Sequence, residues 1–183
     1  MYMTTRETIN SALKVLGLSG MSGVVVDAPN ALKALDKILT SSPAETVNRN
    51  RLMAELKRQS LVHIEAAGDS YHFTLTPAGI HRLQQSIIDE LKIEMPAHWD
   101  KKWRIVSFDI PLNYSRQRAA FVVRLRELGF TMMQKSLWVH PADCFDVIER
   151  LAGHYNLLRF CTFIEASKLD EQSNRRLLRL YNL

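Results

Sequence analysis

Residues 48–58 gather side chains able to meet a nucleic acid: Arg49, Asn50, Arg51, Lys57 and Arg58. The apolar members of the same stretch, Leu52, Met53 and Leu56, recur at helical spacing. Projected at about 100° per residue, these three share one side, while Asn50, Arg51, Ala54, Lys57 and Arg58 share the other. Arginine forks onto guanine, asparagine onto adenine, and lysine meets phosphate as a point charge. Ala54 adds no bulk where such a helix must approach base edges, so the face suits a groove of double-stranded DNA. Arg49 projects toward the apolar side, where a phosphate or structural role is expected. A plain solvated helix face has the same composition, and the neighbouring elements must decide between the two.

Other reactive side chains offer less. His63, His72 and His81 form no metal-ligand spacing, which points to structural or surface roles. Cys144 and Cys161 are far apart and outside any such spacing, as two free thiols of a reduced compartment would be. No Ser/His/Asp or Cys/His arrangement is local enough for nucleophilic catalysis, and no Gly-rich phosphate loop is present. The apolar fraction of 46%, with only 7 glycines and 6 prolines, is that of a globular chain. No apolar run approaches the roughly 18 residues of a membrane span, and residues 1–8 lack a signal-peptide pattern. A cytoplasmic protein with no membrane partner is expected. The net charge of +5 lies in the second half: residues 1–98 carry ten Lys or Arg and ten Asp or Glu, residues 99–183 fourteen against nine. That excess is compatible with nucleic acid and does not demonstrate it.

The elements that must position these residues follow from periodicity. Ile9, Ala12, Leu13 and Leu16 predict a helix over 5–16. Val24-Val25-Val26 is a short β-prone run, and Asn30 can cap a helix with the stripe Leu32, Leu35, Leu39 that Ser41-Ser42-Pro43 ends. The helix over 48–59 follows. Two β-prone runs, 61–65 and 71–75, flank Ala67-Gly68-Asp69 and predict a hairpin. Its tip, 68–71, has no Lys or Arg. Thr76 as N-cap and Pro77 in the first turn start another helix, with the stripe Ile80, Leu83, Ile87, Leu91. Three helices, then a hairpin, is the layout of a winged helix-turn-helix over residues 1–94. Met95-Pro96-Ala97-His98 is a linker. In 99–183, the strand at 103–111 has apolar residues on both faces, as in a covered sheet. A helix at 115–128, one or two strands in 130–139, a helix at 141–152 and a strand at 157–165 give β-α-β-β-α-β, the ferredoxin-like order. A short basic helix ends the chain. The fold class is α+β.

The helix over 115–128 carries Phe121, Leu125 and Leu128 on one face and Ala119, Ala120 and Val123 toward another. A dimer or interdomain contact would use the second face, as would ordinary burial. Its arginines, Arg116, Arg118, Arg124 and Arg126, fit solvated or ion-paired surface better than phosphate contacts. Trp99, Trp103 and Trp138 are expected as core or interface anchors.

Trp99-Asp100-Lys101-Lys102-Trp103-Arg104 and Phe108-Asp109-Ile110-Pro111 resemble the phenylacetic-acid degradation repressor (PaaX-like) family. Gly129-Phe130, Gln134-Lys135-Ser136 and Trp138-Val139-His140-Pro141 continue the match in order, and Asn48-Arg49-Asn50-Arg51-Leu52 resembles that family's winged helix. The resemblance implies a homodimeric repressor released by an acyl-CoA thioester. Longer members continue into a third domain, so the effector of this chain is left unknown. It also implies likeness to the small metal-dependent nuclease of CRISPR spacer acquisition, in which an Asp ends the first strand. Asp109 is the matching position, and a pair of them across a two-fold axis could hold a divalent cation. The plainer reading has Asp109 capping the strand end by hydrogen bonds to backbone amides beside Pro111. A regulator without enzymatic activity or a resident cofactor is expected, with a metal-dependent nuclease as the alternative.

Overall fold

Small residues set the packing of the first half as much as large ones do. The computed structural model describes residues 5–18, 49–67 and 70–183. The Val24–Val26 run, the Asn30 cap, the 32–39 stripe, the 41–43 break and the turn residues Gly68 and Asp69 lie outside them. The chain divides into two compact units, Met1–Asp89 and Glu90–Leu183.

In the first unit, α1 (Thr5–Leu18) buries Ile9, Ala12, Leu13 and Leu16, the stripe its periodicity predicts. Helix α2 (Arg49–Arg58) adds Leu52 and Leu56 to the same core, with Met53 packed against it. Strands β1 (Val62–Ala67) and β2 (Ser70–Leu75) pair antiparallel from Val62 opposite Leu75 to Ala67 opposite Ser70, forming the expected hairpin. Helix α3 (Pro77–Asp89) starts as expected: Gly79 N donates to Thr76 Oγ1 at 3.0 Å, and Thr76 Oγ1 donates to Ser60 O at 2.6 Å.

The buried face of α3 differs from the predicted stripe. Ile80 and Ile87 are exposed, whereas Gly79, Ser86 and Ile88 are buried and Leu83 packs on the core. Backbone proximity is the reason. A Cβ on Gly79 would sit 2.0 Å from Leu61 O, and one on Gly17 would meet Leu83 Cδ2 at 2.3 Å. The first contact is with backbone and needs glycine, which turns Gly79 inward, while the second is with the end of the Leu83 side chain, which packs against α1 at Gly17. The Ser86 hydroxyl is satisfied locally by donating to Leu83 O at 2.8 Å.

In the second unit, β3 (Trp103–Phe108) is an inner strand of a four-stranded antiparallel sheet. The others are β4 (Thr131–Gln134), β5 (Leu137–His140) and β6 (Cys161–Ala166), in the order β4-β5-β3-β6. Helix α4 (Ser115–Glu127) joins β3 to β4, and α5 (Phe145–His154) joins β5 to β6. The β-α-β-β-α-β order is the one the sequence predicts, with a tight three-residue turn of helix before α4 and another before β6. Both faces of the sheet are covered, as the apolar run of β3 requires. On one face Trp103, Ile105 and Val139 pack with Leu177 of α6 (Glu171–Tyr181). On the other, Phe108 meets Phe121 of α4 and Phe163 meets Phe145 of α5, at centroid distances of 5.7 and 5.9 Å. Phe121, Leu125 and Leu128 are buried, whereas Ala119 and Val123 on the second face of α4 are exposed.

Candidate nucleic-acid interface and strand-end cleft

Burial of Leu52 and Leu56 fixes which side of α2 faces outward. Arg51, Ala54, Lys57 and Arg58 are all exposed. Arg49 and Asn50 lie in the first turn. The Arg58 fork is already engaged: Nε and Nη2 donate to the two carboxylate oxygens of Glu55 at 2.8 and 2.5 Å. With Gln59 also donating to it, the Glu55 carboxyl is held down to about pH 2, Arg58 being the largest cause. Gln59 in turn accepts from Arg82 of α3, whose Nε donates to Asn10 of α1, so the end of α2 is tied to both neighbouring helices. Arg51 and Lys57 enter no ion pair among the described residues. Glu55 escapes a projection focused on cations, although its i,i+3 spacing to Arg58 is visible. His63 and His81 are exposed, and His63 lies 3.2 Å from Glu65.

Asp109 follows the last residue of β3 and is exposed. Main-chain bonds secure this strand end: Asp109 N donates to Phe160 O at 3.0 Å, and Tyr114 N to Pro111 O at 2.9 Å. The Asp109 carboxylate takes part in no hydrogen bond or ion pair among the described residues, so it does not cap the strand end. Pro111 has no N–H to offer it. Instead Asp109 lines a cleft of about 520 Å³, together with Arg118 from α4, Ser136 from the β4–β5 turn and Phe160 before β6.

The tryptophan-rich stretch before β3 is a structural knot. Trp99 lies 4.7 Å from Trp103, and its Nε1 donates to Lys102 O at 3.0 Å. Trp103 Nε1 donates to Asn174 Oδ1 at 2.9 Å, fastening α6. Arg104 is buried on the opposite face, where its Nη1 and Nη2 fork onto the Asp100 carboxylate at 2.8 and 2.6 Å. That fork holds the Asp100 carboxyl below the usual range, and Lys102 pairs with Glu165 at 2.7 Å. His140, opposite Arg104 across the β3–β5 ladder, is also buried. Ala142 N donates to His140 Nδ1 at 3.1 Å, and burial, with Arg104 adding to it, pushes the imidazole down to about 4.

Residues 96–178 match the family model described as PaaX protein central Cas2-like domain. The second unit is PaaX-like. No curated protein matches the chain.

Motif residues of the PaaX-like domain thus prove to be scaffold: Trp99, Asp100, Trp103, Arg104, Trp138 and His140 hold sheet, turns and α6 together. Asp109 differs, because it is exposed and has no side-chain partner among the described residues. The Cas2-like fold raises the expectation of a divalent cation there. Asp109 supplies the one carboxylate lining the cleft, and the Arg118 guanidinium lines it too. No group of three His, Cys, Asp or Glu converges among the described residues. A hard cation seeks several oxygen ligands and repels a neighbouring guanidinium. Within one chain this donor set does not fit a resident divalent metal. Among the described residues, no helix is long and apolar enough to cross a membrane.

Proposed function

We propose that the chain is a DNA-binding transcriptional regulator that acts as a homodimer in the cytoplasm. Residues 1–94 serve as a winged helix-turn-helix, and residues 99–183 pair two chains. The observation that carries this reading is the outward face of α2. Arg51, Lys57 and Arg58 stand exposed opposite buried Leu52 and Leu56, and a β-hairpin follows three residues after the helix. A solvated face needs no such hairpin beside it, whereas a groove-reading helix with a wing has this order. The PaaX-like domain supports the reading, since the family it resembles consists of repressors. α2 enters the major groove, Arg51 and Asn50 reach base edges, and Arg49 and Lys57 meet phosphate. Arg58, held by Glu55, braces the helix end or swings to phosphate when DNA arrives. The exposed second face of α4, with Ala119 and Val123, is available for the pairing of chains. Two-fold symmetry then calls for an inverted-repeat operator in double-stranded DNA.

A gel-shift titration on a fragment enriched by the protein tests this reading. The double variant Arg51→Ala, Lys57→Ala should lose at least tenfold in affinity, and unchanged affinity would remove α2 from the interface. Cleavage of the fragment that needs magnesium and vanishes in Asp109→Asn would instead support a nuclease.

A further inference from the structure

The strand-end cleft of the PaaX-like domain holds two charged side chains of opposite sign, and they are not paired with each other. Asp109 and Arg118 both line it, yet neither enters an ion pair among the described residues. Their charged atoms therefore stand farther apart than a salt bridge. Arg118 donates to Lys135 O at a long 3.4 Å and lies 5.7 Å from the Phe108 ring centroid, which leaves most of its five N–H donors free. Ser136 and Thr162 also line the cleft, and their hydroxyls can donate or accept. Phe160 and Leu112 supply apolar wall, and Leu112 is 92% exposed at the rim. A leucine so exposed gains from any apolar body laid over it.

The charge pattern selects the ligand. An anion alone would satisfy Arg118 and set a like charge beside Asp109. A cation alone, metal or amine, would satisfy Asp109 and face Arg118. A molecule with both charges satisfies each, and the volume of about 520 Å³ suits a small organic ligand. We propose that this cleft binds a small amino carboxylate, its carboxylate forked by Arg118, its ammonium on Asp109 and its apolar side chain against Phe160 and Leu112. This inference is independent of the DNA-binding reading, because it is tested without DNA.

Isothermal titration of the full-length protein with leucine and phenylalanine tests it, alongside their N-acetyl and carboxamide forms. The expected result is saturable binding of a free amino acid that weakens at least tenfold when either end is blocked. Arg118→Gln and Asp109→Asn should each weaken it by a similar factor, with thermal melting unchanged. The blocked ligands make the same comparison on the unaltered protein, so the outcome does not hang on the folding of a variant. No saturable binding by either amino acid, or equal binding of the N-acetyl form, overturns the proposal.

Discussion

At the scale of single residues, Arg51 and Lys57 have separable roles that solution measurements can distinguish. Arg51 enters no ion pair among the described residues and has the fork that reads a base, so Arg51→Ala should weaken binding to the preferred site about tenfold and leave non-specific DNA little affected. Lys57→Ala should weaken both alike and reduce the slope of log affinity against log salt by about one. His140 makes a prediction about stability. Its imidazole titrates near 4 in the folded chain, against about 6.5 unfolded. Between these values the unfolded chain binds the extra proton, so stability is full above about pH 6.5 and falls as pH drops toward 4. The full loss, complete only below about pH 4, is on the order of 3 kcal/mol. Urea midpoints at pH 7 and pH 5 should show it, and His140→Asn, which keeps an acceptor for Ala142 N, should flatten it. The outward cations were legible in sequence because Leu52 and Leu56 fix the helix phase. The burial of Arg104 and His140 was not, because strand alternation alone does not reveal that Asp100 will fold back to clothe a buried guanidinium.

At the scale of elements, the helix ends share one device. α2, α4, α5 and α6 are each followed by a residue of positive φ, namely Ser60, Gly129, Asn156 and Asn182. After it a backbone N–H returns five residues, as in Leu61 N to Leu56 O at 2.9 Å and Phe130 N to Leu125 O at 2.9 Å. Serine is the poorest fit to that conformation among the four. Ser60→Gly should stabilise the first unit by about 0.5–1 kcal/mol, measured by thermal or urea unfolding. Gly79→Ala should cost about 3 kcal/mol, since its methyl would displace the Leu61 carbonyl. An unchanged midpoint in Gly79→Ala would contradict the close approach of α3 to that backbone. This contact also explains why periodicity alone gives the wrong phase for α3. Periodicity counts large apolar residues, and the inward side here carries Gly79 and Ser86. The second unit was more legible, because its strands are short, apolar and separated by clear helices.

At the scale of the whole molecule, charge and symmetry bear on which half meets DNA. The +5 excess lies within residues 99–183, although the proposed reading helix belongs to the first half. Pairs such as Arg104 with Asp100 and Lys102 with Glu165 cancel within that half and leave the excess untouched, so net charge, which sums over a whole unit, was a poor guide to one helix face. The strand-end cleft was illegible for a related reason. Its lining comes from 107–118, 136 and 160–162, segments that only the sheet order brings together. Analytical ultracentrifugation should return twice the 21.0 kDa chain mass, and a monomer across the micromolar range would contradict pairing. The central claim is that two copies of α2 read DNA symmetrically, and selection of binding sites from a random duplex pool tests it most directly. A symmetric pair of α2 helices should enrich an inverted repeat whose half-sites lie one helical turn or a multiple apart. Enrichment should disappear for Arg51→Ala, Lys57→Ala. A pool that stays random, or a motif that survives the double variant, would contradict the account.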